Sequence, residues 1–244
     1  MSAAGPSVSL VLPAYNEVRT IGQTLQEAVA YFDQRGLEYE ILVPAEGDDG
    51  TRDVVAGMAA ENPRLRQLGG RERRGKGHAI RQAVLLAEKE VVGFADADNK
   101  TPIDELDKVL PLFDGGYDVV IGSRALEQSR IQRAQRLYRR WGSKGFRLLM
   151  HLLVGLRDIP DTQCGFKFFR KDVAKDLFAR QRIDGYMFDV EILYLARAAG
   201  YRLAQVPVRW QDDADSRFNV LGGTLRNARD ILGIRFSKRN CASS

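Results

Sequence analysis

Residues 91–98 have the sequence VVGFADAD, which indicates both a central strand and a binding site. Its first five residues form an uninterrupted apolar run, which predicts a buried β-strand followed directly by two carboxylates, Asp96 and Asp98. Ligands of open α/β sheets bind outside the carboxyl ends of the strands. Carboxylate oxygens suit Mg²⁺ or Mn²⁺, and these ions in turn bind phosphate oxygens. We therefore expect a metal site at this sheet edge, with a solvated turn as the alternative.

Apolar runs and segments of helical periodicity alternate on both sides of this stretch. The pattern predicts strands at 8–12, 39–43, 65–68, 91–95 and 118–121, and helices at 20–31, after 51, at 78–88 and at 102–113. Such alternation implies an α/β fold, with a mostly parallel sheet and helices on both faces. After residue 122 the pattern changes, with helices predicted at 130–154, 173–179, 188–199 and 223–234 and strands at 165–169 and 203–210.

The length of 244 residues fits one large α/β domain, so a single domain over residues 1–244 is expected. No apolar stretch approaches the roughly 18 residues that cross a bilayer, and the N-terminus lacks the pattern of a secretory signal. A cytoplasmic location is therefore expected. Cys164 and Cys241 are far apart and form no Cys-x-x-Cys pair, which predicts free thiols.

The net charge of +5 favours an anionic partner. The basic residues concentrate in one segment, which holds Arg124, Arg130, Arg133, Arg136, Arg139, Arg140, Lys144 and Arg147 against the single acid Glu127. Apolar residues follow, so residues 138–156 are typical of a helix that lies at a lipid headgroup boundary. A buried core helix has the same apolar pattern, and both interpretations stay open.

Two short motifs precede helices and suit anions. Residues 13–17, Pro-Ala-Tyr-Asn-Glu, lie before the first helix, whose N-terminus offers N–H groups to an anion while Tyr15 can pack on a ring. A simple N-cap by Asn16 is the alternative. Residues 74–77, Arg-Gly-Lys-Gly, open a later helix, but their spacing is not that of a Walker A loop. No Gly-x-Gly-x-x-Gly turn follows the first strand, so neither kinase-type nor dinucleotide-binding function is expected.

Six motifs in order carry a resemblance over nearly the whole chain. They are PAYNE at 13–17, GKG at 75–77, DAD at 96–98, GSR at 122–124, DTQCGFK at 161–167 and FDVE at 188–191. Their order resembles that of family-two inverting glycosyltransferases, and within them the polyprenyl-phosphate branch, the dolichyl-phosphate glucosyl- and mannosyltransferases. The resemblance implies a GT-A (Rossmann-like) fold, a nucleotide-diphosphate sugar donor and Mg²⁺ or Mn²⁺. It also implies that residues 8–122 bind the nucleotide sugar and residues 123–235 the acceptor.

The same resemblance assigns roles to individual residues. The positions that match nucleotide-sugar-binding residues are Pro13, Tyr15, Glu17, Asp49, Lys76, Asp96 and Ala97, and the metal ligands are matched by Asp96 and Asp98. The predicted catalytic residues are Asp98, Arg124 and Glu191. Arg124, Arg139 and Ser143 are expected to bind the acceptor phosphate. Asp189 and Glu191 could form a base or acceptor-positioning pair, or could contact donor-sugar hydroxyls. The structural alternative is that Glu191 caps its helix or forms an ion pair with Arg197 within it.

These assignments favour transfer of glucose, or else mannose, from a UDP-sugar rather than a GDP-sugar to a polyprenyl phosphate. A phosphate acceptor carries a nucleophilic oxygen at neutral pH, so the scarcity of histidine is no obstacle. The same donor chemistry on a soluble hydroxyl acceptor is the first alternative. A non-catalytic basic module that binds membrane or nucleic acid is the second, but no aromatic-basic recognition motif is present, and nucleic acid is not expected. A lipid acceptor would place the protein peripherally on the inner face of the membrane.

Two segments depart from the family's pattern. Relatives end the second strand in an acidic pair of which the first acid recognises the base, whereas this chain has Pro44 and Ala45 there, followed by Glu46. Near the end, relatives carry a basic residue before a Gly-x-Ser-Lys turn, whereas this chain has the acids Asp212, Asp213 and Asp215 where a cation is expected and Arg217 in place of the lysine. Arg209 and Arg217 are the candidates for the missing cation.

Overall fold

The computed structural model describes residues 5–126, 129, 155–211, 230 and 233–234. In chain order its elements are β1 Val8–Val11, β2 Ala14–Tyr15, α1 Ile21–Arg35, β3 Tyr39–Glu46, α2 Thr51–Glu61, β4 Leu65–Leu68, α3 Lys76–Leu86, β5 Val91–Ala95, a 3-10 turn Ile103–Glu105, α4 Leu106–Asp114, β6 Val119–Ser123, β7 Phe166–Arg170, α5 Lys171–Arg180, α6 Phe188–Ala198 and β8 Leu203–Pro207.

The sheet topology confirms the predicted α/β class. The strands have the order β2-β3-β1-β5-β7-β6-β8, with β4 beside β3. β1 pairs in parallel with β3 and β5, and β6 pairs in parallel with β8. β7 runs antiparallel between β5 and β6. The carboxyl ends of β1, β3, β5 and β6 therefore lie at one edge of the sheet, together with the amino end of β7.

Strand side chains alternate between two apolar clusters, one on each face of the sheet. Leu10 and Phe168 belong to the cluster built with α1, α2 and α4, whereas Val11 and Phe169 belong to the cluster built with α3, α5 and α6. Helices thus cover both faces, as predicted. Because the central strands are buried on both sides, they appear in the sequence as continuous apolar runs.

Gly93 interrupts the apolar run of β5 because an aromatic ring lies against it. It stands opposite Phe168 in the register of β5 with β7, and a Cβ at this position would lie 2.0 Å from the Phe168 ring. Phe168 in turn packs edge-to-face on Phe166, with 4.8 Å between the ring centroids. The glycine therefore lets the antiparallel strand carry large side chains against β5, close to the segment 96–98.

β3 extends past its predicted end at residue 43. Ala45 and Glu46 continue the strand because they pair with the two residues of β2. The predicted helices at 130–154 and 223–234 lie almost entirely outside the described residues and stay predictions, as does the single-domain assignment. In the ranges that the structure describes, no helix combines the length and apolarity needed to cross a membrane.

Candidate active site at the carboxyl edge of the sheet

Asp96 and Asp98 lie at the rim of the sheet, immediately after β5. Their side chains are 36% and 29% exposed. Ala97, between them, is buried, and its carbonyl accepts a hydrogen bond of 2.9 Å from the hydroxyl of Thr24 on α1. Both carboxylates are therefore held at the surface by a backbone segment that is anchored in the core.

Each of these carboxylates is paired with a lysine. Lys76 Nζ lies 2.5 Å from Asp96 Oδ1, and Lys100 Nζ lies 2.7 Å from Asp98 Oδ2. Burial opposes the charge on Lys76 and on Asp96, but the attraction between the two opposite charges is stronger than this effect. The attraction therefore raises the pKa of Lys76 and lowers the pKa of Asp96. Both groups are therefore charged at neutral pH.

The donor set at this rim fits a hard divalent cation. Asp96 and Asp98 offer carboxylate oxygens, which Mg²⁺ and Mn²⁺ prefer. No group of three or more His, Cys, Asp or Glu side chains in the described part of the chain is arranged to hold a metal ion. The two aspartates would therefore supply only part of a coordination shell, and a bound diphosphate and water would complete it.

Lys76 is held in place by the packing of the first turn of α3. Cβ atoms at Gly75 and Gly77 would lie 2.4 Å from the Asp184 carbonyl oxygen and 2.6 Å from the Ile183 carbonyl oxygen, respectively. The His78 amide also donates to the Asp184 carbonyl at 3.2 Å. The two glycines of the GKG motif therefore allow α3 to approach the loop at residues 181–185, and this contact positions Lys76 beside Asp96.

Glu191 holds the other side of that loop. It is buried on α6, and its carboxylate accepts hydrogen bonds from the Arg182 amide at 3.1 Å and the Ile183 amide at 2.8 Å. Burial raises the pKa of Glu191, although these two amides act in the opposite direction. The predicted alternative of a pair with Arg197 is wrong, since Arg197 pairs with Asp158. These contacts are those of a positioning residue, and the predicted catalytic role of Glu191 stays untested.

Asp189 belongs to a buried ion pair. It lies 2.5 Å from Nζ of Lys167, a fully buried residue of β7. The same ammonium donates to the Cys164 carbonyl at 2.6 Å and lies 5.5 Å from the centroid of the Phe94 ring. Burial raises the pKa of Asp189 even though Lys167 lowers it. This pair therefore ties α6 to the segment 161–167 and occupies the Asp189 carboxylate.

Arg124, at the end of β6, forms a bidentate pair with Asp161. Its Nε and Nη2 lie 2.7 Å and 2.8 Å from the two Asp161 oxygens, and its backbone amide donates to the same carboxylate at 2.9 Å. Burial opposes both charges, but the pairing raises the pKa of Arg124 and lowers that of Asp161. The ring of Trp210 lies 5.4 Å from the guanidinium carbon. No role was predicted for Asp161 from the sequence, although it is the first residue of the DTQCGFK motif at 161–167.

The loops after β2 and β3 meet at the same edge of the sheet. Asp49 accepts hydrogen bonds from the Thr51 amide at 2.9 Å, the Thr51 hydroxyl at 2.6 Å and the Val18 amide at 3.1 Å. The Glu17 amide donates to the Thr51 hydroxyl at 2.8 Å. Asp49 thus connects the start of α2 to the loop that carries Glu17, and its predicted role in nucleotide binding stays untested.

Tyr15 is exposed at the end of β2. Pro13, half-buried, joins β1 to β2, and Tyr15 follows at the end of β2. The guanidinium of Arg73 lies 4.3 Å from the centroid of the Tyr15 ring. A face of this ring is therefore suited to stacking on a flat cationic or aromatic group, and Arg73 occupies such a position.

Glu46 lies at the carboxyl end of β3. The predicted strand ended at residue 43 and was followed by Pro44 and Ala45, where relatives have an acidic pair. It is buried and accepts a hydrogen bond from the Arg74 amide at 3.2 Å. It lines a cavity of about 460 Å³ together with Arg71, Arg74 and His78. An acidic residue is therefore present at the observed end of β3, one position after Ala45, and a role for it in base recognition stays untested.

The predicted acceptor side is described only in part. Arg139, Ser143 and Arg217 lie outside the described residues, so their roles stay predictions. Arg209 is bound to Asp104 and Glu105, each at 2.5 Å. Arg209 is therefore already paired with two carboxylates, and its predicted role as a phosphate-binding cation stays untested.

Comparison with known proteins identifies the family. The model of "Glycosyl transferase family 2" matches residues 9–178. The dolichyl-phosphate beta-glucosyltransferase of Drosophila melanogaster is 33% identical over an alignment of length 245 that covers 93% of this chain and 74% of the relative. The dolichyl-phosphate beta-glucosyltransferase of Homo sapiens is 31% identical over an alignment of length 247, which again covers 93% of this chain and 74% of the relative.

Solved structures share the fold at lower sequence identity. Glucosyl-3-phosphoglycerate synthase from Mycobacterium tuberculosis, in complex with Mn²⁺, UDP and phosphoglyceric acid, has a TM-score of 0.68 at 20% identity and covers 99% of this chain and 80% of its own. Mannosyl-3-phosphoglycerate synthase from Rubrobacter xylanophilus has a TM-score of 0.67 at 19% identity, with 98% and 77% covered. These neighbours are GT-A glycosyltransferases, which confirms the predicted GT-A fold. Together, the sheet-edge site, the match over residues 9–178 and the relatives above 30% identity show that this protein is a glycosyltransferase and belongs to glycosyl transferase family 2.

Proposed function

We propose that this protein transfers glucose from UDP-glucose to the phosphate of a polyprenyl phosphate, with a divalent cation at Asp96 and Asp98. The names of its relatives support glucose as the sugar and dolichyl phosphate as the kind of acceptor. A fold neighbour that binds Mn²⁺ and UDP supports the cation and the uridine nucleotide.

The proposed acceptor is supported by the ion pairs and hydrogen bonds that the carboxylates on the acceptor side already form. Among the described residues there, Asp161 is bound to Arg124, Asp189 to Lys167, and Glu191 to two backbone amides. A hydroxyl acceptor needs a base to take its proton, whereas a phosphate monoester presents an anionic oxygen at neutral pH. These contacts therefore favour an acceptor that is already ionised.

The proposed reaction is a single displacement. An oxygen of the acceptor phosphate forms a bond to C1 of glucose, while the bond between C1 and the β-phosphate oxygen of UDP breaks. UDP leaves with the electron pair, no proton is transferred, and the configuration at C1 inverts. The bound cation supplies positive charge to the departing diphosphate.

The chain's own residues orient the two phosphates in this proposal. Lys76, at the N-terminus of α3, adds a positive charge and a helix dipole on the donor side. Arg124, oriented by Asp161, presents a guanidinium to the phosphates that flank C1. Arg139 and Ser143 are proposed to bind the lipid phosphate, and Pro13, Tyr15, Glu17 and Asp49 to line the nucleotide.

A thermal-shift screen of nucleotide sugars tests the donor part. A ligand that binds only the folded protein raises its melting temperature. UDP-glucose should raise the melting temperature with Mn²⁺ present and much less with EDTA, GDP-mannose should have little effect, and Asp98→Asn should remove the metal-dependent part. A larger shift with GDP-mannose than with UDP-glucose would contradict the proposed donor.

A further inference from the structure

Lys76 and Lys100 occupy both carboxylates of the Asp96–Asp98 pair. They come from different segments, since Lys76 opens α3 and Lys100 follows Asp98 in the loop before the 3-10 turn. Their side chains are 21% and 17% exposed, so both ammonium groups are largely withdrawn from water. In this state each carboxylate has a resident cation.

The backbone on both sides holds these lysines within reach of the aspartates. Lys76 lies between Gly75 and Gly77, which pack against the carbonyls of Asp184 and Ile183. The Lys100 carbonyl accepts a hydrogen bond of 3.0 Å from the Gln211 amide, and its own amide donates to Asp98 Oδ1 at 3.3 Å. The ammonium groups therefore stay close to the rim even when they leave the carboxylates.

We infer that Lys76 and Lys100 are resident counter-cations that oppose the binding of a free divalent cation to Asp96 and Asp98, so that the cation binds tightly only together with the nucleotide diphosphate. This inference rests on the proposed donor and metal. An ammonium group and a metal ion compete for the same carboxylate oxygen, and each lysine repels the incoming ion. A diphosphate reverses this balance, because its oxygens ligate the ion and also accept the displaced lysines.

The coupling has a reciprocal consequence. If UDP increases the affinity for Mn²⁺ by some factor, Mn²⁺ increases the affinity for UDP by the same factor. Lys76 and Lys100 act on the metal through the two aspartates that they pair with, so their effect is measurable as a change in metal affinity without any turnover.

The test is the binding of Mn²⁺ to the full chain, followed by the loss of the electron paramagnetic resonance signal of free Mn²⁺, with and without UDP. The variants are Lys76→Met, Lys100→Met, Lys100→Gln and the charge-conserving Lys76→Arg. Lys89→Met is the matched control, because Lys89 pairs with Glu38 at 2.6 Å next to the opposite end of β5. Circular dichroism melting verifies that each variant is folded.

The wild type is expected to bind Mn²⁺ weakly alone and about 5- to 150-fold more tightly with UDP, the usual range for coupled sites. Lys76→Met and Lys100→Met should bind Mn²⁺ alone on the order of tenfold more tightly than the wild type, with a smaller effect of UDP. Lys100→Gln should follow Lys100→Met. Lys76→Arg keeps the positive charge and should bind Mn²⁺ alone as weakly as the wild type, whereas Lys89→Met should match the wild type with and without UDP.

Two results would overturn the inference, and they are distinguishable. If the neutral variants bind Mn²⁺ alone no more tightly than Lys89→Met while UDP still tightens binding, the counter-cation role is wrong and the proposed donor site stands. If neither the wild type nor any variant binds Mn²⁺ even with UDP, the proposed metal site is wrong as well.

Discussion

A Cβ at Gly165 would lie 2.2 Å from Oδ2 of Asp96 and 2.3 Å from its Cγ. Gly165 immediately precedes β7, and the register of β7 places Phe166 opposite Ala95 at the end of β5. The antiparallel strand therefore brings a residue without a side chain to the wall of the candidate metal site. A larger residue would push the Asp96 carboxylate out of its position beside Lys76.

Gly165→Ala is expected to lower kcat/KM with UDP-glucose on the order of 100-fold, because a displacement of about 1 Å at a positioning group has an effect of that size. The melting temperature should fall only slightly, since the Asp96 side chain is partly exposed and can turn outward. Gly57→Ala is the matched control, because it lies exposed on α2 with open space around it. That variant should keep full activity, and wild-type activity in Gly165→Ala would show that the Asp96 position is unimportant.

Asp161→Asn should destabilise the fold in a pH-dependent way. Arg124 lowers the pKa of Asp161 in the folded protein despite burial, whereas an unfolded Asp has a pKa of about 3.9. The stabilisation from the charged carboxylate is therefore complete above roughly pH 4 and is lost as the pH falls through the folded-state pKa. Urea unfolding should show a loss of about 1.5–3 kcal/mol at pH 7. The difference from the wild type should shrink at pH 3, and a difference independent of pH would rule out this charge as the cause.

Asp189→Asn should destabilise the protein by about 3–5 kcal/mol, because it leaves the ammonium of Lys167 buried without its counter-ion. The double variant Lys167→Met/Asp189→Asn removes that charge too and should recover at least half of the loss. Chemical denaturation of the wild type, both single variants and the double variant gives the coupling energy. Additive losses would mean that the two residues do not act as a buried ion pair.

Glu191→Gln separates a positioning role from general-base catalysis. Glutamine keeps an acceptor oxygen for the amides of Arg182 and Ile183, so kcat should change by only a few-fold, whereas loss of a general base costs roughly 10²- to 10⁴-fold. Glu191→Ala frees the loop against which Lys76 is placed and should raise the KM for the donor. A loss of turnover above 100-fold in a folded Glu191→Gln protein would restore the catalytic role and favour a hydroxyl acceptor.

Local patterns in the sequence were sufficient for the strand and the carboxylates at residues 91–98, because a buried parallel strand is apolar throughout and a binding site follows its carboxyl end. They were not sufficient for Gly165, Lys167 or Asp161. Gly165 gains its role from the antiparallel pairing of β7 with β5, which joins residues more than 70 positions apart. Lys167 and Asp161 gain theirs from partners 22 and 37 positions away, Asp189 and Arg124. Periodicity along the chain does not encode such contacts.

Glu46 and Glu191 illustrate the same limit. Pairing with β2 determines where β3 ends. The apolar pattern contains no information on this pairing, so the predicted strand ended too early and did not include the buried Glu46. Glu191 was identified by its place in a motif, yet its partners are backbone amides of a loop that no side-chain pattern reveals. Interactions with backbone groups depend on tertiary placement, and single-sequence reasoning finds them only by resemblance.

The proposed reaction is measured as the transfer of radiolabelled glucose from UDP-glucose to a polyprenyl phosphate in detergent micelles. With Mn²⁺ present, the wild type should move label into the organic extract as a lipid-linked sugar, while EDTA, Asp98→Asn or omission of the lipid phosphate should abolish the signal. An unlabelled organic phase together with glucosylation of a soluble hydroxyl acceptor would contradict the proposed acceptor, and transfer to the lipid that proceeds equally well in EDTA would contradict the proposed metal.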